Sequence, residues 1–355
     1  MSEKPLVLVT GGTGFLAVWV IASLFQQGFR VRTTVRSLRR AEEIKKELRQ
    51  AAINEEQISS LEIVQADLLN DDGWADAMKG ASFVQHVASP FPDGLPKHED
   101  DLIIPAREGT LRVLRSARDA GTVSRVVLTS SAAAIEGGHS HATSESNPYT
   151  EKDWTNLNSN QVQAYAKSKT LAERAAWDFI DKEEKEGGKL QLTVINPVLI
   201  MGPALGTNAS TSLRTVSELL EGNTPGLARV SYGLVDVRDC ANLHVLAMTH
   251  PAAKGERFLC VGEGCASLLD IAKTLKKNFG PKASKVPTIV LPNLLIRGVA
   301  IFLPVARLIL PDLGLEKTYS NAKAKEVLGW TWQYSNEQAV TASAESMFKF
   351  GLIKV

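Results

Sequence analysis

Val9-Thr10-Gly11-Gly12-Thr13-Gly14-Phe15-Leu16-Ala17 joins an apolar run of β type, Leu6–Thr10, to an amphipathic helical pattern over Phe15–Gln27. A glycine-rich turn between a strand and a helix suits a dinucleotide pyrophosphate. Gly11 permits the tight turn, Gly14 lets backbone amides approach the phosphates, and the helix N-terminus favours their negative charge. Thr10, Thr13, Phe15 and Leu16 complete the expected contact set, and the small Ala17 lets the helix pack close to a sheet. Such a turn can also simply end a strand, so its meaning depends on what surrounds it.

Around it, short β-branched runs alternate with helical patterns. The strand candidates are 6–10, 30–35, 61–65, 83–87, 126–129 and 192–195; the helical stretches are 15–27, 39–50, 73–79, 102–120 and 161–186. Alternation of this kind predicts an α/β fold with a doubly wound parallel sheet of Rossmann type. Gly187-Gly188 is the expected stop of the last helix. After Pro197 the alternation is lost and Pro and Gly become frequent. Residues 1–195 are therefore expected to form the dinucleotide-binding domain with the catalytic residues. Residues 196–355 are expected to form mainly a smaller, less regular substrate domain, with some segments returning to the first.

The end of the second strand bears on which dinucleotide binds. An Asp or Glu there accepts hydrogen bonds from the adenosine 2′-hydroxyl of NAD. This chain has Val35, followed by Arg36, with Arg39 and Arg40 close behind. A carboxylate repels a 2′-phosphate, whereas guanidinium groups bind it through charge-assisted hydrogen bonds. A solvated basic helix start has the same composition, but the glycine loop upstream favours NADP. Asp67 and Leu68, just past the third strand, are placed to hold the adenine ring from its edge and face.

Tyr165-Ala166-Lys167-Ser168-Lys169 lies near the start of a strongly helical stretch, so Tyr165 and Lys169 share a face. A lone Tyr-x-x-x-Lys arises easily by accident. Thr129-Ser130-Ser131-Ala132 adds weight, because it ends the fifth strand at the sheet edge where open α/β sheets bind ligands. A phenol, with an ordinary pKa of about 10, is a poor acid at neutral pH, and a nearby ammonium stabilises its phenolate. Tyr165 could then protonate a carbonyl oxygen that Ser131 also hydrogen-bonds.

Composition excludes other classes. The 355 residues hold 40 Lys and Arg against 39 Asp and Glu, a net charge of +1, with no overall footprint for nucleic acid or anionic membrane. Cys240, Cys260 and Cys265 have no metal-type spacing, and His139 and His141 flank a serine in a polar stretch, so no metal is expected. The first residues run straight into the β-type segment without a signal-peptide core, so a cytoplasmic protein is expected. The apolar stretch 286–310 is interrupted by Pro287, Pro292 and Pro304 and contains Arg297 and Arg307, which disfavours a membrane span. Leu294, Leu295, Val299, Phe302 and Leu303 fall near helical spacing there. Such a helix could cover a substrate cleft, belong to the small domain's own core, or lie in a membrane interface.

Together these motifs resemble the extended short-chain dehydrogenase/reductase family. More narrowly, they are similar to its dihydroflavonol reductase-like branch, which includes plant dihydroflavonol and cinnamoyl-CoA reductases and microbial NADPH-dependent aldehyde and ketone reductases. The similarity runs through VTGGTGF, VRTTVRS, ADL at 66–68, HVASPF at 86–91, LTSSAAA, YAKSKTLAERAAW, INPVLIMGP, VDVRDCANLH and SNAKAKEVLGW. The resemblance implies a catalytic set of Ser131, Tyr165 and Lys169, with Lys169 also on the ribose. It implies a pyrophosphate loop of Gly11, Gly14 and Phe15, and a 2′-phosphate contact from Arg36 and less directly Arg40. Asp67 and Leu68 match the adenine contacts, and Ala88 and Pro197 the regions flanking the nicotinamide. Pro90, Phe91 and Glu136 are expected on the near wall of the substrate pocket.

Two departures limit the substrate. Glu136 stands where plant dihydroflavonol reductases typically carry Asn, and Val162-Gln163-Ala164-Tyr165-Ala166 lacks the Asn-Trp-Tyr-Cys-Tyr signature of cinnamoyl-CoA reductases. The expected activity is NADPH-dependent reduction of bulky aldehydes, ketones or ketoesters by a monomer or homodimer. The alternatives are a hydroxysteroid-type dehydrogenase, a nucleotide-sugar epimerase, or a non-enzymatic NADP sensor. Val35-Arg36 disfavours the epimerase, and sensors commonly lose the tyrosine.

Overall fold

The computed structural model describes residues 4–90, 96–139, 143–208 and 211–353. The first half alternates as the sequence pattern requires: β1 (Leu6–Val9), α1 (Phe15–Gln26), β2 (Arg30–Val35), α2 (Ala41–Gln50), α3 (Glu55–Ser59), β3 (Glu62–Gln65), α4 (Trp74–Met78), β4 (Phe83–His86), α5 (Asp100–Ala120), β5 (Arg125–Thr129), the one-turn α6 (Ala133–Glu136), α7 (Ala164–Lys185) and β6 (Gln191–Pro197). The second half is β7 (Leu199–Met201), α8 (Arg214–Glu221), β8 (Ser231–Asp236), α9 (Val237–Thr249), β9 (Arg257–Cys260), β10 (Gly264–Ser267), α10 (Leu268–Phe279), α11 (Asn293–Phe302), α12 (Pro304–Arg307), α13 (Ala322–Leu328) and α14 (Asn336–Lys349).

Seven strands form one parallel sheet in the order β3-β2-β1-β4-β5-β6-β9. Chain order reverses between β1 and β4, which opens a crevice at the C-terminal ends of these strands. Central strands are buried on both faces, which is why β1 and β5 read as nearly unbroken apolar runs. Two core clusters cover the sheet. One lies between it and α1, α2 and α9; the other lies beneath α4, α5 and α7.

One helix differs from the sequence pattern. Helix α1 is apolar nearly all round rather than amphipathic, burying eight of its twelve residues, because α9 packs alongside it on the same sheet and covers a second side. Trp19 on α1, where a small side chain is common in the family it resembles, donates from Nε1 to the Pro203 carbonyl at 3.0 Å and ties α1 to the second half. The chain also re-enters the large sheet late, through β9, with α9 packed behind it. The smaller three-stranded sheet, β10-β8-β7, holds a third core with α8, α10 and α14.

A buried ion pair joins these parts. Glu173 on α7 is 1% exposed, and its Oε1 lies 2.8 Å from Nε of Arg257, the first residue of β9. Its Oε2 accepts from Ser130 Oγ at 2.6 Å and from Asn196 Nδ2 at 2.7 Å. Removing one partner of such a pair strands the other charge in a low dielectric. Glu173→Ala should lower the free energy of unfolding by about 3–5 kcal/mol, seen as a lower urea midpoint with unchanged slope.

Candidate active site

The glycine loop is cut to fit a phosphate. Gly11 has φ +70°, and a Cβ there would lie 2.8 Å from Ala88 Cβ; a Cβ at Gly12 would lie 2.2 Å from Thr33 Oγ1. Only glycine lets the backbone pass this close to β2 and β4. Gly14 caps α1, so the opening amides at Phe15 and Leu16 have no carbonyl one turn back and present donors to an anion. The Thr13 carbonyl accepts from Asn208 Nδ2 at 3.3 Å. Thr10 works inward instead. Its fully buried hydroxyl lies 3.0 Å from His86 Nδ1 and accepts from the Ala88 amide at 3.0 Å, fixing the end of β4 against β1. Burial, aided by the Lys169 charge, lowers His86 to about 3, so its ring is neutral.

At the end of β2, Val35 is buried and Arg36 is exposed, without a hydrogen bond or ion pair among the described residues. Arg40 is engaged: it donates from Nε and Nη2 to Glu43 at 2.8 and 3.0 Å, which holds its charge more firmly. Arg36 is thus the more open guanidinium. The glycine cradle, the open helix amides and Arg36 together fit a dinucleotide that ends in a 2′-phosphate. Past β3, Asp67 Oδ1 accepts from the Leu69 amide at 3.0 Å, while the Leu68 side chain is buried against Gly109 of α5.

A cavity of about 300 Å³ opens at the same sheet edge, and Ser131, Glu136, Tyr165 and Pro197 all line it. Ser131 follows β5, and its Oγ accepts from the Ala133 amide at 3.1 Å. Tyr165 stands on the first turn of α7. Lys169, one turn later, has Nζ 5.9 Å from the Tyr165 ring centre and donates to Ser89 Oγ at 3.1 Å. Ala88, Ser89, Lys169 and Glu173 border a smaller adjoining pocket. Pro90 is half-buried and lines neither space; Phe91, like His141, lies outside the described residues.

The far wall carries groups that no motif announced. Lys317 Nζ lies 3.2 Å from Glu136 Oε2 and 2.7 Å from Asp312 Oδ1, and the Tyr319 hydroxyl donates to Glu136. Burial disfavours the Lys317 ammonium, but Glu136 and Asp312 outweigh it and hold its pKa above the usual range. Tyr149 and Tyr232 complete this wall, while Leu199 and Leu315 supply apolar surface. These residues are far from Tyr165 in sequence and share no spacing with it. Only Ser89 had a local signal, inside the HVASPF stretch.

The apolar stretch 286–310 does not cover this cleft. Helix α11 buries Ile296 against Ala228, Val230 and Leu313, and Ala300 is buried as well, whereas Phe302, placed at helical spacing for a cleft wall, is 83% exposed. What reaches the cavity is the next turn, through Pro311, Asp312 and Leu315. Among the described residues, no helix is long and apolar enough to cross a membrane. No group of three His, Cys, Asp or Glu among them could hold a metal.

Comparisons with known proteins place the chain in a family. Residues 7–261 match the NAD dependent epimerase/dehydratase family. A Candida albicans protein provisionally named NADPH-dependent methylglyoxal reductase GRP2 is 33% identical over 302 residues, 81% of this chain and 86% of that one. Dihydroflavonol 4-reductase of Arabidopsis thaliana is 30% identical over 361 residues, covering 100% of this chain and 85% of the relative. The solved structure of yeast methylglyoxal/isovaleraldehyde reductase Gre2 with NADPH superposes with a TM-score of 0.79 at 26% identity, over 98% of this chain and 99% of that one.

One titration beside the loop can be tested. Burial, with Glu43 adding to it, pushes the Glu47 carboxyl from 4.5 up to about 7. The folded state then holds a proton that the unfolded chain has released, so stability falls as pH rises from 4.5 through 7. Glu47→Gln should stabilise the protein by on the order of 2 kcal/mol at pH 8 and change little at pH 4.5. Thermal melts at the two pH values check this.

Proposed function

The chain belongs to the NAD dependent epimerase/dehydratase family and is an NADP-dependent oxidoreductase; from that premise we propose that it reduces carbonyl compounds with NADPH, using Tyr165 as proton donor. The observation that carries this reading is the pairing of Ser131 and Tyr165 on one cavity wall, with Lys169 one turn behind and the glycine loop at the same sheet edge. Bound NADPH supplies a hydride equivalent to the substrate carbonyl carbon. Ser131 Oγ donates a hydrogen bond to the carbonyl oxygen and orients it. The Tyr165 hydroxyl gives its proton to that same oxygen as negative charge develops there. Lys169 stabilises the phenolate left behind and holds the nicotinamide ribose.

The remaining assignments concern cofactor and substrate. The Gly11 and Gly14 amides are used within the loop, by Thr34 Oγ1 and the Gly11 carbonyl, so these glycines admit the pyrophosphate by lacking side chains, while the amides of Thr13, Phe15 and Leu16 would hold it; Thr10 supports the loop from below. Arg36 holds the 2′-phosphate, and Arg40, tied to Glu43, contributes at longer range. Asp67 and Leu68 border the adenine, and Ala88 and Pro197 the nicotinamide. A cavity of about 300 Å³ is at the small end of ligand pockets, with room for bulky aldehydes, ketones or ketoesters. Glu136 faces the substrate together with Lys317 and Asp312. The presence of both Tyr165 and Lys169 speaks against a sensor without chemistry.

A carbonyl panel followed by loss of NADPH absorbance tests the reading. Tyr165→Phe should cut turnover by about a hundredfold or more with NADPH affinity unchanged, whereas Lys169→Ala should damage both. Substantial turnover by Tyr165→Phe would assign the proton to another group. Cofactor choice is tested separately: Arg36→Ala should raise KM for NADPH by about ten- to a hundredfold and leave that for NADH nearly unchanged. Equal use of both cofactors by the unaltered protein would refute the phosphate contact.

A further inference from the structure

The open face of α11 coincides with a charge asymmetry that the balanced total conceals. Between Asp270 and Asp312 the chain has no Asp or Glu and seven Lys and Arg, Arg297 and Arg307 among them. Five of the seven are lysines on α10 and the turn after it, Lys277 being paired with Glu337, whereas Arg297 and Arg307 belong to the apolar face itself. Leu294 and Phe302 are each more than four-fifths exposed, and Leu295, Ile301, Leu303 and Ile289 are at least half exposed. Arg297 is exposed on α11 itself. Arg307 donates to the Ala300 and Ile301 carbonyls at 2.9 Å and holds its charge at the helix C-terminus. Arg229 is exposed between Ala228 and Val230, the residues on which Ile296 packs.

An apolar face of this extent marks a partner or a membrane. A second copy of the chain is a poor occupant, because a two-fold contact pairs the patch with itself and sets Arg297 and its basic neighbours against their own kind. A peptide needs a groove, whereas Leu294 and Phe302 protrude. A bilayer surface answers both features: aliphatic and phenyl side chains enter below the headgroups while guanidinium groups reach back to lipid phosphates. With ten residues, α11 is too short to span. We propose that α11 and its flanking turns dock the protein on anionic bilayers, with α11 lying in the headgroup layer. The same segment continues into Pro311, Asp312 and Leu315 of the cavity wall, and the Leu308 carbonyl accepts from Gln163, another lining residue, so docking sets the cavity rim close to the lipid.

Flotation of the full chain with extruded vesicles tests this, independently of any reductase assay. Binding to phosphatidylcholine vesicles containing phosphatidylserine should exceed binding to phosphatidylcholine alone by about tenfold and fall as salt is raised. The double variant Leu294→Asp, Phe302→Asp should lose about tenfold in binding while its thermal melt and NADPH affinity stay unchanged. Equal binding by this variant and the unaltered protein would overturn the proposal, as would absence of flotation with anionic vesicles. A dimer of the unaltered chain, dissociated by the double variant in sedimentation and indifferent to vesicles, would assign the face to a second copy.

Discussion

The Glu173 carboxylate is the constraint on which the working edge of the sheet depends. Nearly inaccessible to water, it lies against the Arg257 guanidinium as an ion pair and accepts from Ser130, Asn196 and, at 3.3 Å, Trp177 Nε1. Ser130 precedes Ser131, Asn196 precedes Pro197, and Glu173 lies one turn beyond Lys169 on the helix of Tyr165. One buried carboxylate therefore ties together β5, β6 and α7, the elements that carry Ser131, Pro197 and Tyr165 to the cavity. Arg257 extends the effect. It donates to the Glu151 and Asp153 carbonyls, and its guanidinium stacks 3.8 Å from the Trp154 ring centre, which secures the loop leading into α7. A buried pair of this kind adds little net stability over an apolar core, but it tolerates few alternative arrangements.

The two ends of the site are built on different principles. At the cofactor end, backbone does the work: glycines remove side chains where strands and loop come within contact distance, and helix amides are left open. At the substrate end, side chains from segments distant in sequence converge, and a charged cluster around Lys317 makes one wall polar. That cluster pairs two carboxylates with one ammonium, so the wall has a net negative bias beside an apolar remainder from Leu199 and Leu315.

Much of the first half was legible without coordinates. Six strands are within a residue or two of their sequence-derived bounds, because parallel strands buried on both faces leave uninterrupted β-branched runs. The glycine loop and the Tyr-x-x-x-Lys helix were legible because each satisfies a local geometric requirement over a few residues. The amphipathic expectation for α1 failed for a tertiary reason, since α9 supplies the second apolar surface that no local window reveals. Four-residue β9 was likewise invisible, as Arg257–Cys260 resembles any short apolar run until Arg257 is seen paired with Glu173.

By itself the sequence determined the α/β class, six of the seven strands of the large sheet, the glycine turn between β1 and α1 and the absence of an acidic residue at the end of β2. These are written in local spacing and residue type, which backbone geometry reads over one turn or one strand. Only the tertiary structure decided that Arg36 is open while Arg40 is held by Glu43, that Thr10 braces β4, that Lys317 joins Glu136 to Asp312 on one cavity wall, and that Phe302 faces solvent. Each of those depends on contacts between segments far apart in the chain. Their register is set by how the helices pack on the sheet and not by any local preference.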